Sequence, residues 1–322
     1  MNARLLIVAA VTAIMAAAPA QPASAQSTSL RAQCVSASSS AARVLCENIA
    51  DGTVILQPRA GIVLAGGNPV AGSASTMGLR LGSLPRTSVG LRVSATTAGL
   101  PPIEGLGATS NLTVPLASLN ADASLGVFQG FSLLPTVGGF GSIDLLASVG
   151  VLPAPGRKGF DDGWPRSWAA GVRVGILRES FTAPGVSIDL MHRRIGDISW
   201  GSEDLSDDDA WFNTSGFGAT SLRATAGKRF LGFGLTGGVA WDRASADVQA
   251  RIRDTGGESL LIRQDNLTTT RTAVFGNASL TILILNLAAE LGWQQGGEAV
   301  EGASDRLQRG SVFGGLAFRV AI

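Results

Sequence analysis

Leu231 to Asp242 reads LGFGLTGGVAWD. Its odd positions hold Leu231, Phe233, Leu235, Gly237, Val239 and Trp241, and its even positions hold Gly232, Gly234, Thr236, Gly238, Ala240 and Asp242. Every large apolar side chain falls on one parity. An extended strand points successive side chains to opposite faces, so this is a strand with one greasy face and one small, polar face. The G-x-G-x-x-G spelled by Gly232, Gly234 and Gly237 lies inside that strand. A dinucleotide site needs the motif at a strand-to-helix turn, so the spelling carries no nucleotide chemistry.

Working outward, the same two-residue period recurs. On the N-terminal side it appears at Ala60–Leu64, Met77–Leu81, Val89–Ala95, Asn120–Gln129, Ile143–Val151, Trp168–Ile176, Val186–Leu190 and Leu222–Ala226. Beyond the opening strand it appears at Asn266–Ser279, Leu283–Trp293 and Val312–Ile322. This gives an all-β chain of twelve antiparallel strands. A further hairpin within the proline-bearing excursion Ala98–Asn120 would raise the count to fourteen. Connections alternate between shorter ones, such as Ser83–Thr87 and Arg229–Gly232, and longer ones, such as Pro153–Pro165, Trp200–Ser215 and Arg253–Asp265. That asymmetry belongs to transmembrane barrels.

Composition agrees. Of 322 residues 42 are Gly and only 15% are charged, well short of the quarter usual in soluble domains. The missing charge implies a surface that faces something other than water. Met1–Ala25 reads as a signal peptide, with Arg4, an apolar run and the small-residue site Ala23-Ser24-Ala25. Cleavage leaves 24 basic against 24 acidic residues, which gives no argument for nucleic acid.

Residues 26–52 form a separate N-terminal segment with a short helical stretch, periplasmic or acting as a plug, ahead of a barrel over 53–322. Cys34 and Cys46 are the only cysteines in an exported chain and are expected to pair. A straight helix would hold them about 18 Å apart, so the chain must turn between Ser36 and Ser40. Closing so short a loop contributes about 3 kcal/mol in the chain-entropy account.

Signal peptide, alternating strands and unequal loops together resemble a bacterial outer-membrane β-barrel, and the size and N-terminal extension are distantly similar to the long-chain fatty-acid transporter class. The resemblance implies the outer membrane as location, with lipid and lipopolysaccharide as surroundings and a small solute as cargo. The fatty-acid class has fourteen strands and an N-terminal plug. Outer-membrane barrels usually end on an aromatic residue, whereas this chain ends on Ile322.

Several residues are candidates for function. Arg80, Arg92, Asp144, Arg173, Asp189, Arg223, Asp242, Glu290 and Arg319 share the polar face and are expected to line the lumen, as a pairing network or as an anion-favouring conduit. The inward glycines allow close backbone approach or leave room inside. A charge at Val239 should therefore harm insertion more than one at Gly238. Trp168, Trp200, Trp241 and Trp293 fall at the long-loop ends and Phe131, Phe181 and Phe230 at the short-turn ends, as two aromatic girdles do. Phe160, Trp164, Trp211 and Phe212 sit in outer loops and favour a hydrophobic cargo.

Glu203, Asp204, Asp207, Asp208 and Asp209 make an acidic loop without the spacing of a calcium site. His192 is the only His, beside Arg193 and Arg194, which could meet lipid phosphates. An outer-membrane phospholipase is similar in strand number, but its H-x-S-N-G motif is absent here. No cofactor or metal site is indicated. The expected function is non-enzymatic passage of a small solute, with a hydrophobic one favoured; the alternatives are a structural or assembly-partner barrel with a filled lumen, and a lipid hydrolase using His192.

Overall fold

The structure, a computed structural model, describes residues 30–321 except 81–83, 133–137, 154–162, 182, 202–203, 206–208, 255–256, 258 and 298–304. The signal-peptide reading and the last residue lie outside the described residues. Ten strands form the wall: β1 (Thr87–Leu100), β2 (Leu112–Phe128), β3 (Ser142–Val151), β4 (Arg166–Leu177), β5 (Gly185–Ile195), β6 (Asp209–Phe230), β7 (Phe233–Arg253), β8 (Ser259–Ile282), β9 (Leu285–Gln294) and β10 (Ser311–Ala321). Each pairs antiparallel with its neighbours, and β10 closes on β1 from Phe313 opposite Thr96 to Ala321 opposite Ser88. A short strand, Ile198–Trp200, lies beside the far part of β6.

The count is ten rather than twelve because two expected strands are something else. Ala60–Leu64 lies within a helix, α1 (Ser40–Ala65). Met77–Leu81 reduces to a two-residue strand, Leu79–Arg80, paired with Leu84–Pro85 apart from the barrel sheet. The Ala98–Asn120 excursion conceals no hairpin. β1 and β2 pair right up to Leu100 and Leu112, leaving one loop between them.

Helix α1 was hard to read because it is buried on nearly every side from Ile49 to Leu64, including Asp51, Thr53, Gln57 and Arg59. A helix enclosed all round has no polar stripe, and so no 3.6-residue signal. Gly52, Pro58 and Gly61 further disguise it. Ser39 caps its start, accepting from the Ala42 amide at 3.1 Å. Gly66 ends it at φ +65°, where a Cβ would collide with the Arg92 guanidinium.

The opening stretch begins with a turn. Leu231 and Gly232 have φ of 49° and 90°, and β7 starts at Phe233. From there β7 runs on to Arg253, far past Asp242. β6, β7 and β8 have 22, 21 and 24 residues. At about 3.3 Å per residue such strands reach about 70 Å, over twice the roughly 30 Å hydrocarbon layer.

What changes along β7 is the meaning of its two faces. Between Phe233 and Trp241 the outward residues are apolar and the inward ones small or polar. Beyond Trp241 the outward residues are Arg243, Ser245, Asp247, Gln249 and Arg251, while Ala244, Ala246, Val248, Ala250 and Ile252 are buried inside. Neighbouring strands invert at the same height. Inward residues pass from Ser94 and Thr96 to Ala98 and Leu100 in β1, from Ser118 to Leu116, Val114 and Leu112 in β2, and from Thr269 to Leu267 in β8. The lumen therefore has two storeys. The lower one is polar, behind an apolar outer wall. The upper one is an apolar core, behind a polar outer wall.

The Leu231–Gly232 turn places both central residues in the left-handed region, where Asn-Gly is the favoured pair and Leu is strained. Leu231 is fully exposed, so it forfeits nothing by replacement. Leu231→Asn is expected to raise stability by about 0.5–1 kcal/mol, read as a higher urea midpoint of tryptophan fluorescence in detergent.

Candidate functional site

The feature on which the charged side chains converge is the chain's own N-terminal portion, running down through the barrel. It begins at the end carrying the longer loops. The Cys34–Cys46 disulfide, with Cα atoms 5.7 Å apart, ties the turn Gln33–Ser36 to α1. The chain does turn between Ser36 and Ser40, as the spacing required. Gln33 exchanges two hydrogen bonds with the Arg263 backbone (2.9 and 3.0 Å), and Ser38 donates to Asp254 at 2.8 Å. Arg31 pairs with Asp51 and Glu47 at 2.9 and 3.0 Å. Below this clasp, Leu30, Leu45, Ile49, Val54 and Leu56 pack with Leu100, Ile103, Val114, Phe212, Phe217, Val248 and Ile252 in one apolar core. Each fully buried aliphatic side chain contributes about 1.5–3 kcal/mol, so the upper storey is a folded core around the helix.

Polar groups take over near Pro58. Gln57 donates to the Leu267 carbonyl at 2.9 Å, and Arg59 donates to Gln294 Oε1 at 2.9 Å and to the Arg309 carbonyl at 2.6 Å. At the helix C-terminus the last carbonyls lack intrahelical donors. Arg92 donates to the Ala65 carbonyl at 2.7 Å and pairs with Asp122 at 3.2 Å. Arg223 donates to the Gly66 carbonyl at 2.9 Å and pairs with Asp242 at 3.1 Å. The two cations also complement the negative end of the helix dipole.

Residues 66–78 then descend in neither helix nor strand, with a turn in which the Ser73 amide donates to the Val70 carbonyl at 3.1 Å. Glu290 accepts from the Gly67 and Asn68 amides at 2.7 and 2.9 Å and from Asn277 at 2.8 Å. Arg173 forms a two-pronged pair with Asp189 and donates to Asn68 Oδ1 (2.9 Å) and the Ser73 carbonyl (3.0 Å). Asp144 accepts from the Met77 amide at 2.7 Å, near the short-turn end. The expected lumen residues Arg92, Asp144, Arg173, Asp189, Arg223, Asp242 and Glu290 thus meet through this segment more than across an empty bore. Arg319 stands apart from these bonds. The side chain of Arg80 lies outside the described residues.

The inward glycines are spoken for. A Cβ on Gly67 or Gly238 would strike the Phe275 ring, and one on Gly292 the Phe313 ring. Gly238 is therefore no neutral control for Val239, and the expected contrast between charges at those positions is blurred by a clash. Gln249, outward in the upper storey, is the better control.

Aromatic residues divide. Trp168 and Trp293 are exposed on the outer wall, at 56% and 47%, and Phe131, Phe181 and Phe230 are exposed at the short-turn end. Trp241 is half-buried where β7 inverts. Trp200 departs from the girdle expectation: it is 4% exposed and stacks on Phe212 with centroids 6.0 Å apart. Trp211 lies under Arg251 and Phe212 joins the upper core, so neither is presented to a cargo. Trp164 is exposed and Phe160 lies outside the described residues.

His192 faces outward and its Nδ1 is 3.0 Å from Thr220 Oγ1 on the adjacent strand; no carboxylate bonds the ring among the described residues. Arg194 shares that face, but Arg193 points inward and is buried, bonded to Ser167 and Ser148, so it cannot meet lipid phosphate. Of the acidic loop, Glu203, Asp207 and Asp208 lie outside the described residues, while Asp209 Oδ1 accepts from the Ala210 amide at 2.8 Å. Sequence reasoning missed Gln57, Arg59, Asn68 and Arg193. The signal for Arg193 was its parity with Asp189 on β5.

A closed, even-stranded antiparallel wall, apolar outside and polar inside over the height of the lower storey, defines a transmembrane β-barrel fold. No protein-family model matches the chain, and no curated protein sequence matches it. Several solved structures show a distant likeness to this chain. The translocator domain of autotransporter NalP from Neisseria meningitidis shares 12% identity over 85% of this chain and 97% of that one, with a TM-score of 0.44. The outer membrane protease OmpT from Escherichia coli shares 12% over 74% and 95%, with a TM-score of 0.34. The Pseudomonas putida toluene transporter TodX shares 10% over 78% and 95%, with a TM-score of 0.30.

Breaking a buried ion pair leaves an uncompensated charge, which costs about 3–5 kcal/mol. Arg173→Met should lower stability by that amount in detergent unfolding. The double variant Arg173→Met/Asp189→Leu should recover part of the loss, because no charge is then stranded.

Proposed function

We propose that this chain is an outer-membrane barrel whose lumen is held shut by its own N-terminal portion, and whose task is structural: it presents a disulfide-braced segment at its long-loop face as a platform for a partner. The observation that carries this reading is the apolar core of the upper storey, which surrounds α1 between Leu45 and Leu56. A core of that kind is part of the fold and has no reason to yield to a passing solute. The apolar outer wall between the Trp168, Trp241 and Trp293 level and the Phe131, Phe181 and Phe230 level supports a setting in lipid, with the longer loops and the disulfide on the outer side. Passage of a small solute is the weaker reading, since Arg92, Arg173, Arg223, Asp144 and Glu290 are spent on the helix end and the descending segment.

Planar-bilayer recording tests this. The purified protein should give no stepwise conductance, and regular steps from the intact chain would favour passage instead. An epitope inserted between Ser29 and Leu30 should be detected by antibody on intact cells; a tag reached only after permeabilisation would place the braced segment on the other side.

A further inference from the structure

The lower storey's charges are almost fully accounted for. Arg92 pairs with Asp122, Arg173 with Asp189 and Arg223 with Asp242. Glu290 and Asp144 are taken by backbone amides, and Arg193 rests on two serine hydroxyls. Arg319 has no such arrangement. It is 9% exposed, it makes no hydrogen bond or ion pair among the described residues, and its Nε is buried without a partner. Its cross-strand neighbour Asn286 is neutral and gives its amide to Thr281. A buried cation with no bonded counter-charge is costly, far more so than a buried neutral group.

Arg319 also borders a small, half-open pocket with room for a water-sized particle, whose outer rim carries the exposed Leu91, Ala123 and Phe318. Its wall includes Ser88, Ser124, Asp122 and the descending residues Pro69–Ala71. Ser88 and Ser124 share one hydrogen bond at 2.7 Å, so one of the two hydroxyl protons is free to point into the pocket. Asp122 faces the same space, but both its oxygens are engaged by Arg92. We infer that this pocket is a binding site for a small monovalent anion of chloride size, held by the Arg319 guanidinium and a serine hydroxyl of the Ser88–Ser124 pair. The anion supplies the missing counter-charge and fastens Pro69–Ala71 to the closing seam between β10 and β1, so barrel closure and lumen filling are stabilised together.

The test uses the full chain in detergent at constant ionic strength, with chloride exchanged for the bulky anion gluconate. The unfolding midpoint should rise with chloride and saturate. In Arg319→Gln, half-saturation should need about tenfold more chloride or the dependence should vanish, as expected when a charge-assisted hydrogen bond is removed. If Arg319→Gln does not fold, Ser88→Ala/Ser124→Ala provides the readout, with weaker chloride dependence expected. A bromide-soaked crystal should show anomalous density within hydrogen-bonding distance of Arg319. A wild-type midpoint indifferent to chloride, a variant with unaltered dependence, or bromide density only elsewhere would each overturn the site.

Discussion

Successive side chains of an extended strand point to opposite faces, so a strand that leaves hydrocarbon for water while its inner face stays enclosed must exchange its apolar and polar positions. β7 makes this exchange between Trp241 and Arg243, and β1, β2 and β8 change their inner faces at the same level. The rest of the architecture depends on that exchange. Below it, the polar inner face needs partners, and it finds them in the exposed backbone of residues 66–78. Above it, the apolar inner face needs a hydrophobic filling, and α1 provides one.

The helix and the irregular segment suit these two environments for the same reason. A helix satisfies its own backbone and can present apolar side chains all round, which fits the upper storey. A chain in neither helix nor strand leaves many amides and carbonyls free, which fits a ring of Arg, Asp and Glu. The junction falls at Gly66, where Arg92 and Arg223 take the last helical carbonyls and Glu290 takes the first amides beyond them.

Much of the lower storey was legible in the sequence, because lipid outside and polar groups inside impose a clean two-residue period. Val89, Leu91 and Val93 against Ser88, Arg92 and Ser94 could hardly be read otherwise. The upper storey was not legible, since the parity that marks lipid below marks water above. Arg243 to Arg251 therefore fell outside the strand read from Leu231 to Asp242. A short N-terminal helical stretch was legible, but the full length of α1 was not, because enclosure removes the polar stripe by which helices are recognised, and Ala60 to Leu64 passes for a strand when seen alone. The candidate residues were found as a set, yet their common partner, the backbone of residues 66–78, has no side-chain signature. Trp200 was misplaced because loop position alone does not say whether an aromatic ring meets lipid or a core.

The most direct test is the depth of the outer face along β7. Single fluorophores at Leu235, Val239, Arg243, Asp247 and Gln249, in protein reconstituted with brominated lipid, would report contact with acyl chains. Quenching should be strong at Leu235 and Val239 and absent from Arg243 onward. Quenching that continues through Asp247 and Gln249, or that fails at Leu235, would contradict an exchange of faces at Trp241.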